Sequence, residues 1–126
     1  RPGLPTTAPG EHPMSPARRG EIWLVDFGVP VGREQAGRRP AVVVSADGLN
    51  ESPAGVVIVV PCTTSRRGLP SHVELDPASS GLDEVTYAKG EDVRSVAEER
   101  LVARLGAAPI EAMFDLTRVL RYLLDA

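Results

Sequence analysis

The chain has very few of the side chains that form covalent or metal cross-links. Its 126 residues contain one cysteine, Cys62, and two histidines, His12 and His72. One cysteine excludes an internal disulfide, and two histidines are too few for a cysteine–histidine metal cage. We therefore expect neither a structural metal nor a cofactor.

Long apolar runs are missing as well. No stretch approaches the roughly 18 apolar residues that a membrane helix needs, so the sequence predicts no membrane span and a cytoplasmic protein. Hydrophobic residues make up 42% and charged residues 25% of the chain, which is typical of a globular protein. A chain of this length fits one domain.

The N-terminal segment 1–19 differs in composition from the rest. It holds five of the twelve prolines and almost no large apolar residues, so we predict a disordered tail followed by a domain over residues 20–126. The chain begins with Arg1, whereas Met14 shortly precedes the first predicted strand. We therefore expect Met14 to be a candidate for the true translation start, and the intact mass of the native protein tests this.

Short β-type segments separated by glycine and proline fill most of the remaining chain. A final segment that starts at Pro109 has apolar residues at helical spacing and predicts one amphipathic helix. The predicted fold is mainly β with a C-terminal helix, a small antiparallel barrel or an open sheet packed by that helix. Strands are predicted at 21–27, from near Arg39 to 45, at 56–64 and at 71–75, with weaker candidates at 82–88 and 101–105 on either side of a polar stretch, 91–100.

Alternation within residues 71–75 predicts which side chains face the core. Val73 and Leu75 are expected to point inward, and His72 and Glu74 outward. On this basis His72 is interpreted as a surface histidine.

Two other single residues are assigned to the core. Cys62 lies on an apolar strand with no histidine placed to activate it, so it is expected to be a small core residue. Trp23 is the only tryptophan, and a small barrel commonly buries such a residue.

Basic residues are unusual in type and in distribution. The net charge of -3 and the pI of about 5.4 argue against a general nucleic-acid coat protein. Thirteen of the fourteen basic residues are arginines, the side chain that grips phosphate in a planar, bidentate way. Coding bias can explain the surplus, but it does not explain the two clusters. These clusters, Arg33 with Arg38 and Arg39, and Arg66 with Arg67, predict a local anion site.

Polar residues are expected to meet where the second and third strands lie side by side. Glu34, Arg38 and Arg39 enter the second strand, and Thr63 and Thr64 end the third, so neighbouring strands would bring them together. Arginines, a carboxylate and a hydroxyl suit a phosphodiester whose negative charge must be stabilised during reaction. RNA would supply its own nucleophile, the 2′-hydroxyl. The alternative from composition alone is a set of solvated charges beside a barrel rim.

Three stretches of the chain form a recognisable set: RRGEIWLVDF at 18–27, VGREQAGRRPAVVVS at 31–45 and VVIVVPCTTSRRGLPSHVEL at 56–75. In order, spacing and residue type they resemble the MazF/PemK endoribonuclease toxins. The resemblance implies a compact SH3-like barrel of the MazF/PemK (CcdB-like) type that acts as a homodimer. It also implies sequence-specific, metal-independent cleavage of single-stranded RNA, leaving 2′,3′-cyclic phosphate and 5′-hydroxyl ends.

The resemblance also implies roles for individual residues. The family loop G-x-E-Q-x-G-x-R-P is present at 32–40, which makes Arg39 the catalytic arginine and Glu34 the acidic residue of the loop. The strand end P-x-T-[TS] at 61–64 makes Thr63 the functional threonine, with Thr64 as its competitor. Two departures are Arg33, where many members have serine, and Asp92, where several have glutamine. The substrate-binding residues implied are Arg33, Gln35, Arg38, Thr64, Arg66, Arg67 and Asp92.

A division of labour among the three catalytic candidates follows from their chemistry. A guanidinium stays protonated because its pKa exceeds about 12, so Glu34 is the better candidate for the general base. Arg39 is then expected to stabilise charge at the phosphate, and Thr63 to hydrogen-bond a phosphate oxygen.

The resemblance also implies a protein partner, a small MazE-like antitoxin whose extended acidic segment would compete with RNA for the basic loops. Two alternatives remain open. One is a CcdB-like toxin of the same barrel fold that poisons DNA gyrase, and the other is a non-catalytic nucleic-acid-binding module.

Overall fold

The computed structural model describes residues 17–29, 32 and 37–126. Within this part of the chain, seven strands are joined by short helices and turns, and a longer helix ends the domain. Two 3-10 turns, Gly90–Asp92 and Glu98–Arg100, interrupt the last strands. The elements are β1 (Glu21–Asp26), β2 (Arg38–Val43), α1 (Asp47–Asn50), β3 (Val56–Thr63), β4 (His72–Leu75), α2 (Pro77–Ser80), β5 (Thr86–Lys89), β6 (Arg94–Ala97), β7 (Leu101–Ala107) and α3 (Ile110–Leu124).

The strands form one antiparallel sheet in which β3 has three neighbours. The order is β4-β5-β3-β2-β1-β7, and β6 also pairs with β3. On one edge β3 pairs with β2, and on the other its first half pairs with β6 and its last residues with β5. Strands β5 and β6 therefore share one edge of β3, one after the other along its length.

Both faces of β2 and β3 are covered, which explains why their apolar runs are continuous rather than alternating. Val42, Val60 and Cys62 point towards α3 in one cluster, the helix-side core. Ala41 and Val59 point the other way, into a second cluster with residues of β1 and β6, the barrel core.

Helix α3 covers the helix-side core with one face. Ala112 and Leu116, four residues apart, are its buried residues, while Phe114 and Leu124 are exposed. Pro109 is the N-cap residue rather than the first helical one, which still uses its fixed φ and missing N–H. Among the helices of the described residues, none is long and apolar enough to cross a membrane.

The predicted fold class is confirmed, with two differences in detail. Strand β6 lies inside the stretch 91–100, which is interpreted from the sequence as a polar separator. The strand has no apolar pattern because only Val96 among its residues faces the barrel core. Among the described residues the barrel does not close, since β6 pairs with β3 and β7 with β1 but not with each other. The turn Glu98–Arg100 connects these two strands in the chain.

The described structure begins with residues that are packed against the domain. Ala17 is buried in the barrel core. The Arg19 side chain donates to the carbonyl oxygen of Val44 and, over 2.9 Å, to the hydroxyl of Thr117 in α3. Residues 1–16, with most of the predicted disordered tail and Met14, lie outside the described residues.

Removal of the Leu116 side chain should destabilise the domain through the α3 interface. Leu116 is 1% exposed, so Leu116→Ala should lower the free energy of unfolding by about 2–5 kcal/mol. Leu124→Ala, the same change at a residue that is 67% exposed on the same helix, should change it by less than about 1 kcal/mol. Denaturant titration at one fixed protein concentration measures both, and equal losses would contradict the docking of α3.

Candidate active site

The register of β2 and β3 places Arg39 and Thr63 on one face of the sheet. Ala41 pairs with Pro61 in the last pair of this ladder, and Arg39 and Thr63 each lie two residues beyond that pair, on the same face as Ala41 and Pro61. Side chains at opposite positions of neighbouring strands lie on the same face, about 5 Å apart. Arg39 is exposed and Thr63 partly exposed, so both side chains are within reach of a ligand on this face.

The same row continues across two further strands. Thr63 pairs with Tyr87 of β5, and Tyr87 pairs with Glu74 of β4. Tyr87 is partly exposed and Glu74 is exposed. We call Arg39, Thr63, Tyr87 and Glu74 the polar row. It lies on the face of the sheet away from α3, because the residues that alternate with it along the strands, Cys62, Val73 and Ala88, belong to the helix-side core.

The hydroxyl group of Thr63 is oriented by the loop that follows β3. Its Oγ1 accepts a hydrogen bond of 3.1 Å from the backbone N–H of Ser65. The oxygen is thereby used as an acceptor, which leaves the hydroxyl hydrogen to donate. Arg66 and Arg67 follow in the same loop and are exposed, so positive charge lies next to this hydroxyl in sequence.

Arg38 and Thr64 are the sequence neighbours of Arg39 and Thr63, and their side chains lie outside the polar row. The Nε atom of Arg38 lies 4.0 Å from Oδ2 of Asp26 on β1. Thr64 lines a cleft of about 340 Å³ together with Pro40 and Thr86, and the last two are neighbours of Arg39 and Tyr87 in their strands. Of the two adjacent threonines, Thr63 is the one on the same face as Arg39.

Three predicted site residues lie outside the described residues: Arg33, Glu34 and Gln35. The ends of the segment that contains them are fixed, because the N–H of Phe27 donates to the Gly37 carbonyl over 2.9 Å and that of Gly37 to the Gly28 carbonyl over 2.8 Å. The roles given to Arg33, Glu34 and Gln35 stay predictions.

Asp92 lies beside the polar row rather than in it. It ends the 3-10 turn Gly90–Asp92, and its carboxylate is 3.0 Å from the ammonium group of Lys89. Lys89 follows Tyr87 by two residues in β5 and so lies on the same face. The predicted contact of Asp92 with RNA stays a prediction, but its position next to this face is compatible with it.

The interpretation of His72 as a surface side chain is wrong. It points away from Val73 and the helix-side core, as alternation predicts, but its side chain is only 4% exposed. The reason is the turn Gly90–Asp92, which is held against β4 by the hydrogen bond from the Gly90 N–H to the Ser71 carbonyl. This turn brings Glu91 over the imidazole, with 2.9 Å between Nε2 and Oε2.

Glu91 is the centre of a small polar cluster that sequence reasoning missed. It accepts a 2.6 Å hydrogen bond from the Ser71 hydroxyl and lies 2.9 Å from His72. Burial alone would raise the pKa of Glu91, but the hydrogen bonds with Ser71 and His72 outweigh burial and lower the pKa below its ordinary value of 4.5. The carboxylate therefore stays ionised and holds the turn against β4.

The expectations for Cys62 and Trp23 differ in outcome. Cys62 is buried in the helix-side core, and burial raises the pKa of its thiol to about 12, so the prediction of an inert core residue is confirmed. Trp23 is only half-buried. It packs against the barrel core, and its indole N–H donates to Glu21 over 3.0 Å.

A groove lies at the Glu74 end of the polar row. It has a volume of about 900 Å³, runs between β4 and the C-terminal half of α3, and has Glu74, Arg118 and Tyr122 among its lining residues. In the described part of the chain, histidine, cysteine and carboxylate side chains form no group of three or more that could hold a metal ion.

Comparison with known proteins identifies the family. The model of the PemK-like, MazF-like toxins of type II toxin-antitoxin systems matches residues 18–124. The chain belongs to this toxin family. The endoribonuclease MazF9 of Mycobacterium tuberculosis is 38% identical to it over 113 residues, which cover 86% of the chain and 96% of that protein. The resemblance found in the three sequence stretches is thereby confirmed.

Solved structures of this family have the same fold as the chain. MazF from Deinococcus radiodurans matches with a TM-score of 0.75 and 29% identity, over 87% of this chain and 97% of that one. An endoribonuclease from a mycobacterial species, solved in complex with its cognate antitoxin, matches with a TM-score of 0.73 and 25% identity over 86% of this chain and 95% of that one.

The loss of the Glu91 charge should destabilise the protein only where the carboxylate is ionised. Folding lowers the pKa of Glu91. Its contribution to stability is therefore complete at pH values above the ordinary pKa, and it is lost as the pH falls through the lower pKa of the folded state. Glu91→Gln should therefore lower the free energy of unfolding at pH 7, by less than about 1 kcal/mol for a partly exposed group.

Denaturant titrations at pH 7 and pH 3 measure this difference, with Glu84→Gln as an exposed control. The free energies of unfolding of Glu91→Gln and Glu84→Gln should differ at pH 7, and the difference should be smaller at pH 3. A deficit of Glu91→Gln that grows towards low pH would contradict the role given to this carboxylate.

Proposed function

We propose that the chain is a sequence-specific endoribonuclease that cleaves single-stranded RNA without a metal ion, in the cytoplasm. Family membership makes it the toxin of a toxin-antitoxin system, and the relative from Mycobacterium tuberculosis is an endoribonuclease by name. The observation that carries the proposal is the register of β2 and β3, which places the exposed Arg39 and the partly exposed Thr63 on one face, each two residues beyond the last pair of the ladder. A guanidinium and a hydroxyl on one face can bind two oxygens of one phosphate group.

The proposed reaction uses the 2′-hydroxyl of the substrate. This oxygen attacks the adjacent phosphorus and loses its proton to Glu34. The bond from phosphorus to the 5′-oxygen of the next nucleotide breaks, and that oxygen takes up a proton from water. The products are a 2′,3′-cyclic phosphate and a 5′-hydroxyl. Arg39 stabilises the negative charge that develops on the phosphate oxygens, and Thr63 donates its hydroxyl hydrogen to one of them.

A small antitoxin and a second copy of the chain are the proposed protein partners. Related toxins have been solved as MazE–MazF complexes, among them one from Deinococcus radiodurans. The exposed Arg38, Arg39, Arg66 and Arg67 suit an acidic segment of such an antitoxin, and the same arginines suit RNA. Antitoxin and substrate are therefore expected to compete, and the working toxin is expected to be a homodimer.

Cleavage of RNA in the presence of EDTA tests the activity and the two central residues. The parent should produce discrete fragments whose 5′-hydroxyl ends can be phosphorylated directly by a polynucleotide kinase. Arg39→Ala should lower kcat by about 100- to 1,000-fold, and Arg39→Lys should lose less because it keeps the charge. Thr63→Ala should lose about 10- to 100-fold, the loss expected for one hydrogen bond to a charged group.

The neighbouring threonine is the matched control for this experiment. Thr64→Ala should lose less activity than Thr63→Ala, because Thr64 alternates away from Arg39. Activity that needs an added metal ion, or fragments that carry 5′-phosphates, would contradict the proposed chemistry. RNA left intact by the parent would favour the gyrase poison or the non-catalytic binding module.

Antitoxin binding should weaken as ionic strength rises. The basic loops would steer an acidic segment, so the association rate should fall by about tenfold or more between low and high salt. Replacement of Arg66 and Arg67 by alanine should reduce this dependence. Replacement of Arg118 and Arg121 on α3 is the matched control and should leave it unchanged, whereas an association rate independent of salt would contradict the proposed surface.

A further inference from the structure

Tyr87 occupies a position in the sheet for which no role has been assigned. It is the next side chain after Thr63 in the polar row, one strand spacing or about 5 Å further from Arg39. It is partly exposed on the face away from α3. An aromatic ring at this distance from a bound phosphate group lies where the base of the same or the adjoining nucleotide can stack on it.

Glu74 places a negative charge at the end of the polar row that is opposite to Arg39. It is exposed and pairs with Tyr87 on the side away from Thr63, so the row has a cation at one end and an anion at the other. A phosphate group is attracted to the Arg39 end and repelled from the Glu74 end. A bound RNA with its phosphate at Arg39 and Thr63 would therefore have room for a base across Tyr87 towards Glu74.

The carboxylate also favours one chemical class of base. It only accepts hydrogen bonds when ionised, as with the amino group of cytosine. Adenine and guanine also present exocyclic amino groups. Uracil presents a single N–H between two carbonyl oxygens, which repel a carboxylate. A base with an amino group therefore fits between Tyr87 and Glu74 better than uracil does.

We infer that Tyr87 and Glu74 form a nucleobase-binding subsite, in which an amino-bearing base stacks on Tyr87 and donates to Glu74. The inference rests on the proposed function, because the phosphate at Arg39 and Thr63 fixes where the base lies. It makes these two residues determinants of sequence preference next to the cleaved bond, whereas Arg39 and Thr63 act on the phosphate itself.

The test uses the full chain, a randomised pool of single-stranded RNA, and a 2′-O-methyl RNA that cannot be cleaved. The fragment ends produced by the parent are sequenced. At one position next to the cleaved bond, an amino-bearing base should be at least about tenfold more frequent than uracil. Tyr87→Leu should raise KM and weaken binding of the 2′-O-methyl RNA by about tenfold, with kcat much less affected. Tyr87→Phe should keep the KM of the parent, because it keeps the ring.

Glu74→Gln should reduce the preference over uracil to about threefold or less, since a carboxamide offers a donor as well as an acceptor. Glu111→Gln makes the same change at an exposed carboxylate at the start of α3 and should keep the parent's preference. Thermal melting of each variant shows that it is folded, and Tyr87→Phe and Glu74→Gln keep the shape of the residue they replace.

Two results would overturn the subsite: parent-like KM and RNA binding in folded Tyr87→Leu, or uracil at both positions flanking the cleaved bond in the parent. Its failure is distinct from that of the proposed function. If the parent leaves the RNA pool intact but binds 2′-O-methyl RNA through Tyr87, the cleavage proposal is wrong and the subsite is retained.

Discussion

The antiparallel pairing of β3 with three other strands is the constraint on which the rest of the structure depends. One edge of β3 is bonded to β2, and the other is divided between β6 and β5. Because both edges and both faces of β3 are used, its register fixes the position of every strand around it. A slip by one residue would move its core residues to the opposite face, and it would separate Thr63 from Arg39.

One face of the sheet forms the apolar core, and the other carries the side chains of the candidate site. The helix-side core is filled by apolar residues under α3, including Leu116, and by Cys62, whose thiol has a raised pKa and no acidic function at neutral pH. The polar row lies on the other face, and the cluster of Ser71, His72 and Glu91 lies beside it at the start of β4. This division allows charged and aromatic side chains to be presented to RNA without loss of core packing.

Only part of the candidate site could be predicted from sequence. Arg39 and Thr63 lie in motifs, and their convergence needed only the assumption that consecutive strands are neighbours. Tyr87 and Glu74 belong to no motif, and they join Thr63 through β5 and β4, whose register no local pattern reveals. His72 was misplaced for a related reason: alternation gives the face of a side chain, but not whether another segment covers that face.

The sequence by itself determined the fold class, the continuous strands of the core, the C-terminal helix and the family, because each is encoded in local periodicity or in contiguous motifs. Tertiary structure alone decided which threonine shares the face of Arg39, that β6 lies within a polar stretch, and that the barrel stays open between β6 and β7. Each of these depends on pairing between residues far apart in the chain. Such pairing is set by the packing of the whole domain rather than by the residues in any one segment.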